Sequence, residues 1–103
     1  MTFVQPDGSR QTIQVDAGRS AMEAARDNNV HGIVAECGGE CACSTCHCYV
    51  DAQWIARLPQ RSGDEASLIE FAHDPRDGSR LACQLLMTES LDGLVLHVPE
   101  RQL

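Results

Sequence analysis

A chain of 103 residues, 43 % of them hydrophobic, has room for one small core and is too apolar for a disordered tail. Its 15 acidic and 8 basic residues give a formal charge of −7, and every basic residue other than His is Arg. Such a field repels phosphate backbones, which excludes nucleic acid as a partner and leaves a basic protein surface as the natural complement. No run approaches the roughly 18 apolar residues of a membrane span. The opening MTFVQPDGSR lacks the basic and apolar regions of a secretory signal, so the expected location is the cytoplasm.

In chain order, residues 2–15 read as a hairpin. Phe3, Val4, Ile13 and Val15 are strand formers, and Pro6-Asp7-Gly8 is a turn. Ser20 with Glu23 three residues on forms a capping box for a helix through Ala21, Met22, Ala24 and Ala25. That helix should end near Asn28 and Asn29 and feed a short segment through Ile33 and Val34. Residues 36–48 fit neither a helix nor a strand. Tyr49 and Val50 begin an ordered return, and Trp54, Ile55 and Leu58 form an apolar cluster. Ser62 is a second cap, again with Glu at the third position, for a helix from about 63 to 72 striped by Leu68, Ile69 and Phe71. Residues 74–78 are turn material, residues 81–87 are largely apolar, and Leu94, Leu96 and Val98 alternate in a last strand. The order β-β-α-loop-α-β-β predicts a small mixed sheet with a packed helix in a single domain, 1–103.

The cysteines carry the chemistry. Five of six lie between positions 37 and 48, and the sixth is Cys83. Crowded thiols without an export signal point to metal rather than to a disulfide framework. Cys37, Cys43 and Cys46 have the spacing C-x5-C-x2-C, with Cys83 far along the chain. Zinc sites commonly use two short pairs, and only Cys43 and Cys46 form one in this set. Three ligands from one looping segment plus a distant fourth fit a two-iron cluster better, one residue longer than the plant-type spacing. Gly38 and Gly39 allow sharp turning, and backbone N–H groups from Gly38 through Ser44 and Thr45 can approach the sulfurs. Cys41 and Cys48 leave another choice of ligands open, beside the plainer reading as small, partly buried thiols.

Cys37-Gly38-Gly39, Cys43-Ser44-Thr45-Cys46-His47 and Ser79-Arg80-Leu81-Ala82-Cys83-Gln84 resemble the adrenodoxin/putidaredoxin branch of [2Fe-2S] ferredoxins. Met87-Thr88, Leu91-Asp92-Gly93 and residues 98–102 extend the resemblance over essentially the whole chain. It implies an α+β fold, the β-grasp of 2Fe-2S ferredoxins, with a cluster-binding loop. It implies one [2Fe-2S] cluster per chain on Cys37, Cys43, Cys46 and Cys83, with Cys41 and Cys48 not ligands. His47 would tie the cluster loop to the domain by a hydrogen bond. Two ferric ions, two sulfides and four thiolates sum to −2, so the loaded, oxidised protein would stand at about −9.

The same resemblance implies an electron carrier rather than an enzyme, a monomer taking electrons from an FAD-dependent NAD(P)H ferredoxin reductase and delivering them to a cytochrome P450. The acidic helix would dock partners through Glu65 and Glu70, although Ser67 stands where a further acid is expected. Glu36, just before the first ligand, would touch the oxygenase, and Leu103 holds the terminal position where the resemblance expects an aromatic residue for partner recognition. Alternatives are a ferredoxin for iron–sulfur cluster assembly or another oxygenase, a zinc-stabilised interaction module, and a thiol–disulfide exchanger using Cys43 and Cys46.

Overall fold

The hairpin forms as its turn chemistry dictates. Strands β1 (Thr2–Val4) and β2 (Arg10–Thr12) pair antiparallel. Between them the Asp7 carboxylate accepts the Ser9 N–H at 2.9 Å, and Gly8 takes φ +89°, a conformation that costs glycine little. The computed structural model describes residues 1–30, 32, 46–72 and 74–100.

Among the described residues, three more strands join these in a mixed sheet of order β2-β1-β5-β3-β4. Strand β5 (Val95–His97) runs parallel to β1 and antiparallel to β3 (His47–Val50), and β4 (Ser79–Leu81) pairs antiparallel with β3. Phe3 and Leu96, directly paired and fully buried, place the core beneath β1 and β5.

Helix α1 (Ala21–Asp27) is built as its sequence requires. Ser20 Oγ accepts the Glu23 N–H at 3.0 Å, and Glu23 accepts the Ser20 N–H at 3.1 Å, a complete capping box. Ala21, Met22, Ala24 and Ala25 are buried and join Phe3 and Leu96 in one cluster. The small alanines let the helix lie close to the turn Ala82–Gln84. Its exposed side carries Arg19 paired with Glu23 at 3.2 Å and with Asp27. Asn29, at φ +55°, ends it.

Three expectations change. Helix α2 spans Gly63–Ile69 rather than 63–72. Beyond Ile69 the N–H groups of Phe71 and Ala72 bond three residues back, to Leu68 and Ile69, so the chain tightens out of the helix. Phe71 therefore leaves the apolar stripe and is 76 % exposed. The return expected from Tyr49 is a full strand over His47–Val50, one more than the four strands the pattern predicts, which the density of cysteines hid. Residues 81–87 are not one strand either: β4 stops at Leu81, and Ala82–Gln84 forms a 3-10 turn packed against α1. Among the described residues, no helix is long and apolar enough to cross a membrane.

Candidate metal centre

The pairing of β3 with β4 decides where two of the predicted ligands lie. His47 faces Leu81, Cys48 faces Arg80 and Tyr49 faces Ser79. One step further, the Ala82 N–H donates to the Cys46 carbonyl at 2.9 Å. Cys46 and Cys83, distant in sequence, thereby meet at one end of the sheet. Both are buried, and the Cys46 thiol is within hydrogen-bonding reach of Cys83. That bond and burial hold the Cys46 thiol well above the ordinary thiol range. A metal ion reverses this preference, because it binds the thiolate and displaces the proton. Two buried sulfurs from separate elements thus suit a thiolate-rich iron or zinc centre, and one more donor already addresses them: Gln84 Nε2 donates to Cys83 Sγ at 3.5 Å.

Cys48 stands apart. It is fully buried, its thiol donates to the Arg80 carbonyl at 3.6 Å, and burial pushes it up to about 12. A proton held this firmly marks a small core residue.

His47 is also fully buried, and its Nε2 is 2.8 Å from Ser79 Oγ. The same hydroxyl accepts the Arg76 N–H at 2.7 Å. Because His47 follows Cys46 directly, this contact fastens the end of the cysteine-rich segment to β4 and to the turn before it. Tyr49 adds an edge-on ring contact with His47, and its hydroxyl donates to the Asp74 carbonyl at 2.7 Å.

Glu65 is not a docking residue. Its side chain is 1 % exposed and grips Arg80 twice, at 2.7 and 3.0 Å, while accepting the Leu81 N–H at 2.9 Å. Arg80 also donates to the Pro59 carbonyl at 2.7 Å. A carboxylate committed to these bonds has nothing left for a partner. The fold turns it inward to hold β4 two residues before Cys83. Glu70, by contrast, is exposed at the end of α2.

Glu36, Cys37, Gly38, Gly39, Cys41, Cys43, Ser44, Thr45 and Leu103 lie outside the described residues. Sequence reasoning missed the roles of Ser79, Arg80 and Gln84. The available signal was polar side chains flanking an apolar run, since a buried polar group needs a partner.

A 2Fe-2S iron-sulfur cluster binding domain matches residues 4–88. Rhodocoxin from Rhodococcus erythropolis is 41 % identical over 99 % of this chain and 96 % of its own. Putidaredoxin from Pseudomonas putida is 39 % identical, again over 99 % of this chain and 96 % of its own. The chain belongs to the adrenodoxin/putidaredoxin-type [2Fe-2S] ferredoxins. This ferredoxin superposes on the crystal structure of a ferredoxin from Rhodopseudomonas palustris HaA2 with a TM-score of 0.97 at 46 % identity, covering 99 % of this chain and 97 % of that one. It also matches a chain in the crystal structure of the covalent putidaredoxin reductase–putidaredoxin complex, with a TM-score of 0.91 at 39 % identity and 97 % of each chain covered. The fold is accordingly the β-grasp of 2Fe-2S ferredoxins, the cofactor is a [2Fe-2S] cluster, and the ferredoxin carries electrons rather than transforming a substrate.

Proposed function

We propose that this ferredoxin is a cytoplasmic, monomeric, single-domain carrier. It would take one electron at a time from an FAD-dependent NAD(P)H ferredoxin reductase and deliver it to a cytochrome P450. The meeting of Cys46 and Cys83 where β3 and β4 pair carries the proposal, because it brings together two of the four thiolates that the resemblance expects. Cys37 and Cys43 complete the ligand set. When bound, the cluster supplies a one-electron couple that needs no proton. The hydride of NAD(P)H leaves two electrons on the flavin, so two carrier visits move the pair onward. The reductase assignment is supported by the likeness to putidaredoxin in its reductase complex.

The protein's own residues set the conditions for this couple. Gly38, Gly39, Ser44 and Thr45, small residues outside the described ones, would let backbone N–H groups approach the sulfurs, and His47 with Ser79 holds the segment's end in place. Glu36, Glu70 and Leu103 are the proposed docking residues, with Glu65 withdrawn. Contacts should be brief and steered by charge, since the carrier must leave one partner before meeting the next.

The test is EPR on anaerobically purified protein before and after dithionite, with iron and acid-labile sulfide measured on the same sample. About two irons and two sulfides per chain, and a spin-half signal appearing only on reduction, are expected for a two-iron centre. Replacement of Cys83 by Ala should abolish normal loading. A Cys83→Ala protein with unchanged iron, sulfide and spectrum would remove Cys83 from the ligand set. Turnover with a flavoprotein reductase but transfer to no P450 would move the assignment to cluster assembly or another oxygenase.

A further inference from the structure

Gln84 is the residue of the described site that neither the fold nor the ligand set requires. It sits in the 3-10 turn Ala82–Gln84, partly buried, and its side-chain amide points to the sulfur of the residue before it, Nε2 to Cys83 Sγ at 3.5 Å. The backbone around it is tightly held. Ala82 N–H bonds Cys46, Leu85 N–H bonds Ala82, and the Leu85 carbonyl accepts the Ala21 N–H at the start of α1. Met87 is tied in both directions, its N–H to Arg19 and its carbonyl from Gly18. A side chain leaving so fixed a turn loses little further freedom in reaching Cys83.

We infer that Gln84 is a positioning residue that sets the reduction potential, by donating a hydrogen bond to the thiolate of Cys83. This rests on the reading of Cys83 as a ligand. The bound cluster would supply a one-electron couple without proton uptake, and its reduced form would carry one more negative charge than its oxidised form. A hydrogen bond to a ligand sulfur strengthens as that sulfur becomes more negative. The Gln84 amide therefore favours the reduced state over the oxidised state and raises the potential. Unlike backbone N–H groups near the sulfurs, this donor can be removed without altering the path of the chain. It is the place where the potential can change while the loop stays the same.

The experiment uses the loaded protein carrying Gln84→Met, which keeps length and loses the donor, and Gln84→Glu, which keeps shape and presents a carboxylate at neutral pH. Potentials come from spectroelectrochemical titration, with iron, sulfide and thermal midpoint measured on each sample. Expected are full loading, an unchanged midpoint, and an equilibrium constant for reduction lowered about threefold to tenfold in the Met variant, tenfold being about 59 mV for one electron. The Glu variant should fall further. Full loading with the parental potential in both variants would overturn the inference. So would failure of both to load in a folded protein, which would make Gln84 an assembly residue. Normal loading of Cys83→Ala would instead overturn the ligand reading, and that result is independent of either Gln84 variant.

Discussion

Glu65 accepts three hydrogen bonds in a space that admits almost no water, two from the Arg80 guanidinium and one from the Leu81 N–H. Removing one member of such a pair leaves an uncompensated charge in the interior, at a cost of about 3–5 kcal/mol. That is a large share of the about 5–15 kcal/mol by which domains are stable. Glu65→Ala should therefore lower the urea midpoint severely, while Glu65→Gln, which keeps an acceptor for the Leu81 N–H, should lose less. A loss below about 1 kcal/mol for Glu65→Ala, the range of an exposed pair, would show that the ion pair does not stabilise the fold. The sequence could not disclose this inward role. Ser62 and Glu65 repeat the spacing of Ser20 and Glu23, yet only Glu23 bonds back to its cap. What diverts Glu65 is Arg80, and nothing local announces a partner so far along the chain. His47 was more legible, because the motif that holds it also implied a hydrogen bond to the domain, although it did not reveal Ser79 as the partner.

At the scale of elements, the two helices offer a controlled comparison. Both caps give the same kind of support: Ser20 Oγ accepts the Glu23 N–H at 3.0 Å and Ser62 Oγ accepts the Glu65 N–H at 3.1 Å. Ser20 is buried and its cap is reciprocal, whereas Ser62 is exposed and its cap is one-sided. Ser20→Ala should cost about 1 kcal/mol or somewhat more, in the upper half of the range for lost caps, and Ser62→Ala should cost less. Thermal midpoints of the two variants measured side by side decide it, and equal losses would mean the reciprocal bond contributes nothing. The capped start of α1 was readable because its signals are local. The end of α2 was not, since the chain leaves the helix toward Asp74, which sits at φ +51°. The 3-10 turn at Ala82–Gln84 was hidden for a similar reason: its residues are apolar enough for a strand, and only the need to bring Cys83 beside Cys46 takes them out of one.

For the molecule as a whole, charge is the property a partner senses first. The formal −7 deepens to about −9 with an oxidised cluster, and Asp64, Glu70, Asp74 and Asp77 lie exposed on or near α2. Glu70→Arg should slow electron transfer with the reductase or the P450 severalfold at low salt, the gap to parent closing as salt rises, because rim charges act mainly on the rate of encounter. Stopped-flow rates across an ionic-strength series test this, and parallel curves for the two proteins would take Glu70 out of docking.

The order β2-β1-β5-β3-β4 has a consequence for biosynthesis. Among the described residues, the β1–β2 hairpin and the β3–β4 pair have no strand-to-strand bond to each other, and β5, which joins them, comes last of the five strands in chain order. Without residues 95–97 the sheet would be two separate pairs, each with an open edge facing the gap that β5 fills. A chain interrupted before Val95 has already made every cysteine, yet it has no strand to close its sheet. Closure of the sheet therefore waits for β5, and the edges of β1 and β3 that face it are the ones open to mispairing until then.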